Sequence, residues 1–476
     1  MVQEVIQPEM SYAFDGEPLL QPFIDEETVV IEAQGNDYYL DRQSGFESSA
    51  RSYPRRLPIA IRRAEGVFVD DMDGRRYIDC LAGAGALALG HHHPVVVEAI
   101  RRTLADGVPF QTLDLTTPVK DRFVEALFSS LPKAFADQAR IQFCGPSGAD
   151  AIEAAVKLVK TATGRRSILA FHGAYHGMTH GALGLTGEIG PKLHVSGLMP
   201  DVHFLPFPYL YRCPFSLGGE VGWRSSLAYI ERLLDDSNSG ITPPAAMILE
   251  AVQGEGGVIP APDEWLREIR RMTRKRGIPL IIDEVQTGIG RTGRMYAFEH
   301  SGIQPDVLVL SKAIGGGLPL SAVVYHKELD RWQPGAHAGT FRGNQLAMAA
   351  GTATLQYVKE HRLDLHAHEM GERLMAILRN IQKDKPQIGD VRGRGLMIGI
   401  EIVNPVDSPD ALGVYPPNRK LACRIQTECL KRGVIVELGG RQGSVVRVLP
   451  PLIVTTDEID QIGTIFAEAV RVSIVT

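Results

Sequence analysis

The stretch LIIDEVQTGIGRTGRMYAFEHSGIQPDVLVLSKAIGGGLPLSAVV, Leu280 to Val324, holds two strand-like apolar runs, each leading into a residue that can do chemistry: Asp283 and Lys312. In open α/β sheets, ligands bind outside the carboxyl ends of the strands, so both residues fall where a ligand would lie. A lysine after a strand is most often a surface residue, and an aspartate there often only caps a turn. Together they meet a more specific need. Pyridoxal 5′-phosphate (PLP) chemistry requires an amine that condenses with an aldehyde and a carboxylate that keeps a pyridine nitrogen protonated, so that the ring draws in electrons. An ion pair with pyridinium also explains why an acid stands inside an apolar strand.

The phosphate of such a cofactor calls for a helix N-terminus with small residues, where backbone N–H groups approach an anion closely. CGPSGAD (Cys144 to Asp150), followed by IEAAVKLVK, offers this with Ser147 and Gly148. Helix capping alone produces similar text. A nucleotide is the competing ligand, but neither GxxxxGK[ST] nor a proper GxGxxG after a strand occurs.

No metal site is expected. The five cysteines, Cys80, Cys144, Cys213, Cys423 and Cys429, are scattered without CxxC spacing, which also gives no disulfide framework and suits a reducing cytoplasm. His91, His92 and His93 are adjacent, so their side chains diverge, and Pro94 stands at a first helical position. Asp71 and Asp73 hint at a calcium loop, but its closing glutamate is missing, and Asp73-Gly74 inside IRRAEGVFVDDMDGRRYID reads better as a hairpin turn.

A length of 476 residues requires more than one lobe, and 44% hydrophobic with 22% charged residues is ordinary globular composition. A net charge of -6 gives no general attraction to nucleic acid or anionic lipid. The N-terminus has no signal-like segment, and the longest nearly uncharged run, Cys80 to Gly90, is too short to span a bilayer, so neither export nor a membrane anchor is expected. The basic cluster Arg267, Arg270, Arg271, Arg274, Lys275 and Arg276 alternates with Trp265, Leu266, Ile269 and Met272, the pattern of an amphipathic helix with a wet basic face.

Strand-like runs at Ile168 to Phe171, Met247 to Val252, Leu280 to Val285 and Val307 to Leu310 alternate with helical text such as DAIEAAVKLVKTATG and DEWLREIRRMTRKRG. This predicts an α/β fold with a mainly parallel sheet wrapped by helices. Beyond about residue 350, GDVRGRGLMIGIEIV, GVIVE and SVVRVLPPLIV predict a smaller α+β lobe. The division expected is an aperiodic N-terminal arm over 1–50, an N-terminal part of the small domain over 51–95, a large cofactor-binding domain over 96–350, and the rest of the small domain over 351–476.

The motifs GVFVDDMDGRRYIDCLAG, GHHHP, FHGAYHG, EAVQGEGG, IIDEVQTGIGRTG, PDVLVLSKAIGGGLP and GTFRGN, spread from about Leu57 to Pro451, resemble those of the class III, or ornithine-type, PLP-dependent aminotransferases. The resemblance implies the type I fold of PLP-dependent transferases, with a seven-stranded sheet in the large domain. It implies Lys312 as the lysine joined to the cofactor, Asp283 at the ring nitrogen, Tyr175 on the ring face, Gln286 near the 3′-oxygen, and Ser147 with Gly148 at the phosphate. Thr340 corresponds to a threonine that reaches the phosphate of the neighbouring subunit, which implies a homodimer. Glu255 and Arg447 resemble a substrate switch in which the arginine holds the α-carboxylate of 2-oxoglutarate or glutamate and the glutamate neutralises it when an ω-amine enters. An arginine in an apolar strand demands an anionic partner in any case.

Two departures bear on the amino donor. Met178 stands where the ornithine and 4-aminobutyrate enzymes carry an arginine, and Ala84 where the ornithine enzyme carries a tyrosine. YHGMTHGAL, ARSYPRRLP and GTFRGNQLA resemble the branch that exchanges the 4-amino group of L-2,4-diaminobutyrate with 2-oxoglutarate, including members that serve siderophore and peptide synthesis. The expected reaction is ping-pong interconversion of these two with aspartate 4-semialdehyde and glutamate. The alternatives are another ω-amino donor (ornithine, acetylornithine, 4-aminobutyrate or a polyamine), a PLP aminomutase, and a non-catalytic module on the same fold.

Overall fold

The computed structural model describes residues 34–475. The chain divides into two compact units, one of Met1–Ala60 with Asp71–Gly74 and the other of Ile61–Asp70 with Arg75–Thr476.

In the first unit, residues 1–33 of the expected arm lie outside the described residues, but a helix forms over Asn36–Phe46. Its apolar residues form no stripe, so no periodicity betrays it in the sequence. The Asn36 amide donates to Asp71 Oδ2 at 3.0 Å and Asp73 Oδ2 at 2.9 Å, and its Oδ1 accepts from Ala60 N at 2.9 Å. The two aspartates that hinted at a calcium loop thus bind a side-chain amide.

In the second unit, seven strands form the central sheet: β1 (Ala139–Phe143), β2 (Ile168–Phe171), β3 (Val202–Leu205), β4 (Ala246–Leu249), β5 (Leu280–Asp283), β6 (Val307–Leu310) and β7 (Ala322–His326). Their order is β1-β7-β6-β5-β4-β2-β3, and only β7 runs antiparallel to its neighbours. Every residue of β2, β4, β5 and β6 is buried, as expected of strands covered on both faces. β4 and β5 end earlier than their apolar text suggests. β5 stops because the Asp283 carboxylate accepts from Val285 N at 3.0 Å and turns the chain out of the sheet.

The helix Gly148–Thr163 packs on β4, β6 and β7 through Ala151, Ile152, Ala155, Leu158 and Val159. The helix Asp263–Lys275 buries Trp265, Leu266, Ile269 and Met272, with Trp265 lying edge-on to Phe171 and Phe207 at 5.4 and 5.6 Å. Its basic face is neutralised locally. Arg270 makes a bidentate pair with Asp306, and Arg267, Arg271 and Arg276 pair with Glu264, Glu268 and Asp235. The three histidines diverge as their adjacency requires: His91 to Asp79, His92 to the Ala64 carbonyl, and His93 edge-on to Tyr357.

A second, four-stranded antiparallel sheet is built from β8 (Ile388–Arg394), β9 (Met397–Ile402), β10 (Glu437–Gly439) and β11 (Val445–Val448), in the order β8-β9-β11-β10. The helices Leu363–Lys383, Arg419–Lys431 and Thr456–Val475 accompany it. Among the described residues no helix is long and apolar enough to cross a membrane.

Glu284, one residue beyond β5, is buried and accepts from Thr287 Oγ1, Ala297 N and Phe298 N. Burial still pushes its carboxyl from 4.5 up to about 7, the three donors offsetting only part of the cost. A carboxyl raised on folding contributes stability that is present below its unfolded value and is lost as pH rises through its folded value. We therefore expect wild-type stability to fall between about pH 5 and about pH 8. Glu284→Gln should flatten that decline by about 2–4 °C in thermal melts at the two pH values.

Candidate active site

Three strand ends meet at one place. The parallel register pairs Ile282 with Leu249 and Asp283 with Val309, so Glu250, Asp283 and the segment leading to Lys312 emerge side by side at the carboxyl edge of β4, β5 and β6. A cavity of about 230 Å³ opens there. Ser147, Gly148, Tyr175, Glu255, Asp283, Gln286 and Lys312 all line it, together with His176, Met178 and Glu250.

Lys312 adopts φ +51, the left-handed region, at the start of the short turn Lys312–Gly315. A side chain there costs about 1–2 kcal/mol, a strain concentrated at functional positions. Burial pulls its ammonium below the usual lysine range and Arg447 adds to this, while Glu255, Asp283 and Glu250 offset part of the shift. The result is an amine closer to its nucleophilic, neutral form.

Asp283 is 5% exposed. Its Oδ2 lies 2.8 Å from His176 Nδ1, and its Oδ1 takes Val285 N. Tyr175, half-buried, is carried on the loop after β2, and its backbone N–H donates to Glu250 Oε1 at 3.0 Å. The other Glu250 oxygen accepts from Gly254 N at 2.9 Å, so one buried acid ties the Tyr175 loop to the loop that carries Glu255. Burial raises the Glu250 carboxyl to about 7.

Ser147 caps the helix Gly148–Thr163 by accepting from Asp150 N. Gly148 packs so tightly on the turn after β5 that an added Cβ would stand 2.9 Å from Val285 Cγ1. Backbone N–H groups at this helix start are therefore open to an anion with nothing bulkier than hydrogen at position 148. Asp150 Oδ2 in turn accepts from Gly145 N and lies 3.0 Å from His337 Nε2. Cys144 joins these two within 4.8 Å, a grouping of metal-capable types that spacing alone did not reveal.

Arg447, on β11, is fully buried behind the cavity. Its Nη1 lies 2.7 Å from Glu255 and 3.3 Å from Glu437, and its Nη2 donates to Gln286 Oε1 at 2.9 Å. Burial disfavours the Glu255 charge, but Arg447 and Lys312 outweigh it and hold the carboxyl below its usual range. Gln286 spans the cavity wall, its Nε2 donating to the Ala84 carbonyl at 3.0 Å.

The set combines a depressed amine, a buried carboxylate, a small-residue helix start and an arginine held by a movable acid, which is what a PLP-dependent transamination needs. A family model described as class III aminotransferase matches residues 48–470. The chain belongs to the class III aminotransferases.

Relatives of this aminotransferase include the diaminobutyrate–2-oxoglutarate aminotransferase of Rhizobium meliloti (strain 1021), 59% identical over 91% of this chain and 92% of that one. The enzyme of the same description from Haemophilus influenzae is 53% identical over 91% and 95%. Among solved structures, an amine transaminase from an uncultivated Pseudomonas species in its PLP-bound form superposes with a TM-score of 0.79 at 29% identity, over 90% of this chain and 97% of that one. These likenesses agree with the fold and family expected from the motifs.

Of the cofactor and substrate residues expected from the sequence, two do not line the cavity: Thr340, exposed in the loop before the helix Gln345–Glu360, and Arg447, buried on β11. Arg447 reaches the site through Glu255 and Gln286. Glu250 and His176 were passed over, although MILE ends on an acid inside an apolar run just as LIID does, a signal that points to Glu250.

Proposed function

We propose that this aminotransferase exchanges the 4-amino group of L-2,4-diaminobutyrate with 2-oxoglutarate, forming L-aspartate 4-semialdehyde and L-glutamate, with PLP held by Lys312. The observation that carries the reading is the buried Arg447 with Glu255 at 2.7 Å, a cation that is offered or masked according to which substrate enters. The relatives at 59% and 53% identity that bear the diaminobutyrate–2-oxoglutarate description support the choice of donor.

The residues fit the cofactor. Lys312 would hold its aldehyde carbon, Asp283 its ring nitrogen, Tyr175 a ring face, Gln286 the region of its 3′-oxygen, and Ser147 with Gly148 its phosphate. When bound, PLP supplies an electron sink for the carbon that loses its proton. Lys312 Nζ, less basic than an exposed lysine, would take the proton from the substrate carbon and hold it for return. Arg447 holds the α-carboxylate of 2-oxoglutarate, while Glu255 covers the guanidinium as the ω-amine enters. Both half-reactions use one cavity, which is the basis of ping-pong kinetics.

The exposed position of Thr340, outside its own chain's cavity, supports a homodimer in which it serves the partner's phosphate site. All five cysteines are free, in keeping with a reaction in the cytoplasm. Run in reverse, the same exchange would supply diaminobutyrate to siderophore or peptide synthesis.

A donor panel with 2-oxoglutarate, scored by glutamate formed, tests the reading. kcat/KM for diaminobutyrate should exceed that for ornithine and 4-aminobutyrate by about 100-fold, because ornithine is longer by a methylene and 4-aminobutyrate lacks the 2-amino group. Faster turnover of ornithine or 4-aminobutyrate would sink the assignment.

A further inference from the structure

Between the strand Arg76–Asp79 and the helix Pro94–Ala105 the backbone makes a turn of the wrong hand. Ala82, Gly83, Ala84 and Gly85 take φ +49, +58, +57 and +91 in succession. Two of the four are alanines, whose Cβ is strained in the left-handed region, although glycines stand at the neighbouring positions and fit it freely. Strain of this kind persists only where the surroundings over-determine it, and it collects at functional places.

Two side chains do the holding. Asp79 Oδ1 accepts from Leu81 N at 2.8 Å and from Ala82 N at 3.0 Å, which fixes the entry to the turn. Asp79 Oδ2 lies 2.9 Å from His91 Nε2, and a carboxylate only accepts, so that nitrogen carries the hydrogen. His91 is fixed in turn by a two-bond backbone bridge to Gly66.

The product of the turn is one carbonyl. Ala84 O accepts from Gln286 Nε2 at 3.0 Å, across 202 positions of sequence. A guanidinium only donates, so Gln286 must give its oxygen to Arg447 Nη2, as it does at 2.9 Å, and its NH2 must find an acceptor elsewhere. Ala84 O supplies that acceptor. If it moved away, the amide could turn over and set its own donors against the guanidinium.

We propose that Asp79 and His91 are positioning residues for the acceptor substrate: they hold the left-handed turn so that Ala84 O orients Gln286, and Gln286 orients Arg447. The inference rests on the reading above that Arg447 holds a carboxylate of 2-oxoglutarate. The donor half-reaction, in which Glu255 covers the guanidinium, depends far less on this chain of contacts.

Glutarate, which has both carboxylates of 2-oxoglutarate and no ketone, is titrated calorimetrically into the PLP-loaded enzyme. Wild type is compared with Asp79→Ala, Asp79→Asn, His91→Leu, His91→Gln and Arg447→Met, beside the kinetics of each half-reaction and melting temperatures. Asp79→Ala and His91→Leu should bind glutarate about tenfold more weakly, with KM for 2-oxoglutarate raised alike. Values of kcat and KM for diaminobutyrate should stay within about threefold. Asp79→Asn keeps an oxygen for Leu81 N and Ala82 N, and His91→Gln keeps an N–H near the Nε2 position. Both should therefore bind glutarate within about threefold of wild type. If Asp79→Ala does not fold, His91→Leu decides, since it leaves the carboxylate on the turn. A lower melting temperature with unchanged glutarate binding in His91→Leu, or equal losses in the two half-reactions, overturns the positioning role alone. Arg447→Met should lose glutarate by at least about 10²-fold, and wild-type binding there removes the carboxylate assignment beneath the inference.

Discussion

Replacing Lys312 by alanine should lower transamination by at least about 10³-fold, because the proposed mechanism asks one residue for both the covalent attachment and the proton transfer. The loss should fall on kcat. In the proposed arrangement Arg447 and Glu255 would remain to bind substrate, and Tyr175, Ser147, Gly148 and Asp283 to hold the cofactor. Three measurements separate this from a general defect. Borohydride treatment of the native enzyme should label Lys312, and the variant should take no label there. Single-turnover activity of Lys312→Ala should recover in part with a small exogenous primary amine, which can carry the proton but is not tethered. The third reads the backbone. Lys312 holds φ +51, so Lys312→Gly should relieve strain that Lys312→Ala retains, and the glycine protein should be the more stable by about 1 kcal/mol although both are inactive. Equal stabilities would show that the turn after β6 carries no stored strain. Substantial activity in either variant would overturn the role of this lysine.

How much of this arrangement the chain discloses before folding depends on how far apart its parts lie. β5 and β6, with Asp283 and Lys312 at or just beyond their ends, fall within one 45-residue stretch, and each is a buried apolar run that can be read locally. The helix Gly148–Thr163 likewise announces itself, with its cap at Ser147 and its stop at Gly164, φ +67. The contacts made across the sheet are different in kind. Glu250 lies beside Asp283 only because β4 pairs with β5 in a given register, and His176 reaches Asp283 across 107 positions of sequence. His176 has no local signature, since a histidine after a tyrosine occurs in many settings, and Glu250 has only that of an acid closing an apolar run. β1, β3 and β7 were equally indistinct. ARIQF and VHFL are short and partly exposed, and the antiparallel course of β7 is set by tertiary pairing. The helix Asn36–Phe46 has no apolar stripe to reveal it. Thr340 marks a further limit, for a residue proposed to act in another subunit has no place in the geometry of its own chain.

Arg447 should be the second most sensitive position, with two effects that can be told apart. Arg447→Met removes a guanidinium that faces Glu255 at 2.7 Å, Glu437 at 3.3 Å and Gln286 Oε1 at 2.9 Å. Breaking a buried ion pair from one side leaves charge without compensation and costs about 3–5 kcal/mol. Here the lower part of that range is expected, because the Glu255 side chain is 30% exposed and can turn towards water, whereas Glu437 at 6% cannot. The functional effect is larger. Without Arg447 the α-carboxylate of 2-oxoglutarate meets Glu255 directly, so kcat/KM for the acceptor should fall by at least about 10²-fold, while the half-reaction with diaminobutyrate changes by less than about tenfold. Adding Glu255→Gln to Arg447→Met discriminates between the causes. If like-charge repulsion dominates, the double variant recovers part of the acceptor rate and part of the melting temperature. If the guanidinium itself supplies the binding, stability recovers and the acceptor rate does not. Unchanged turnover of 2-oxoglutarate in Arg447→Met would mean that the buried pair is only structural, and the substrate switch assigned to it would have to be abandoned.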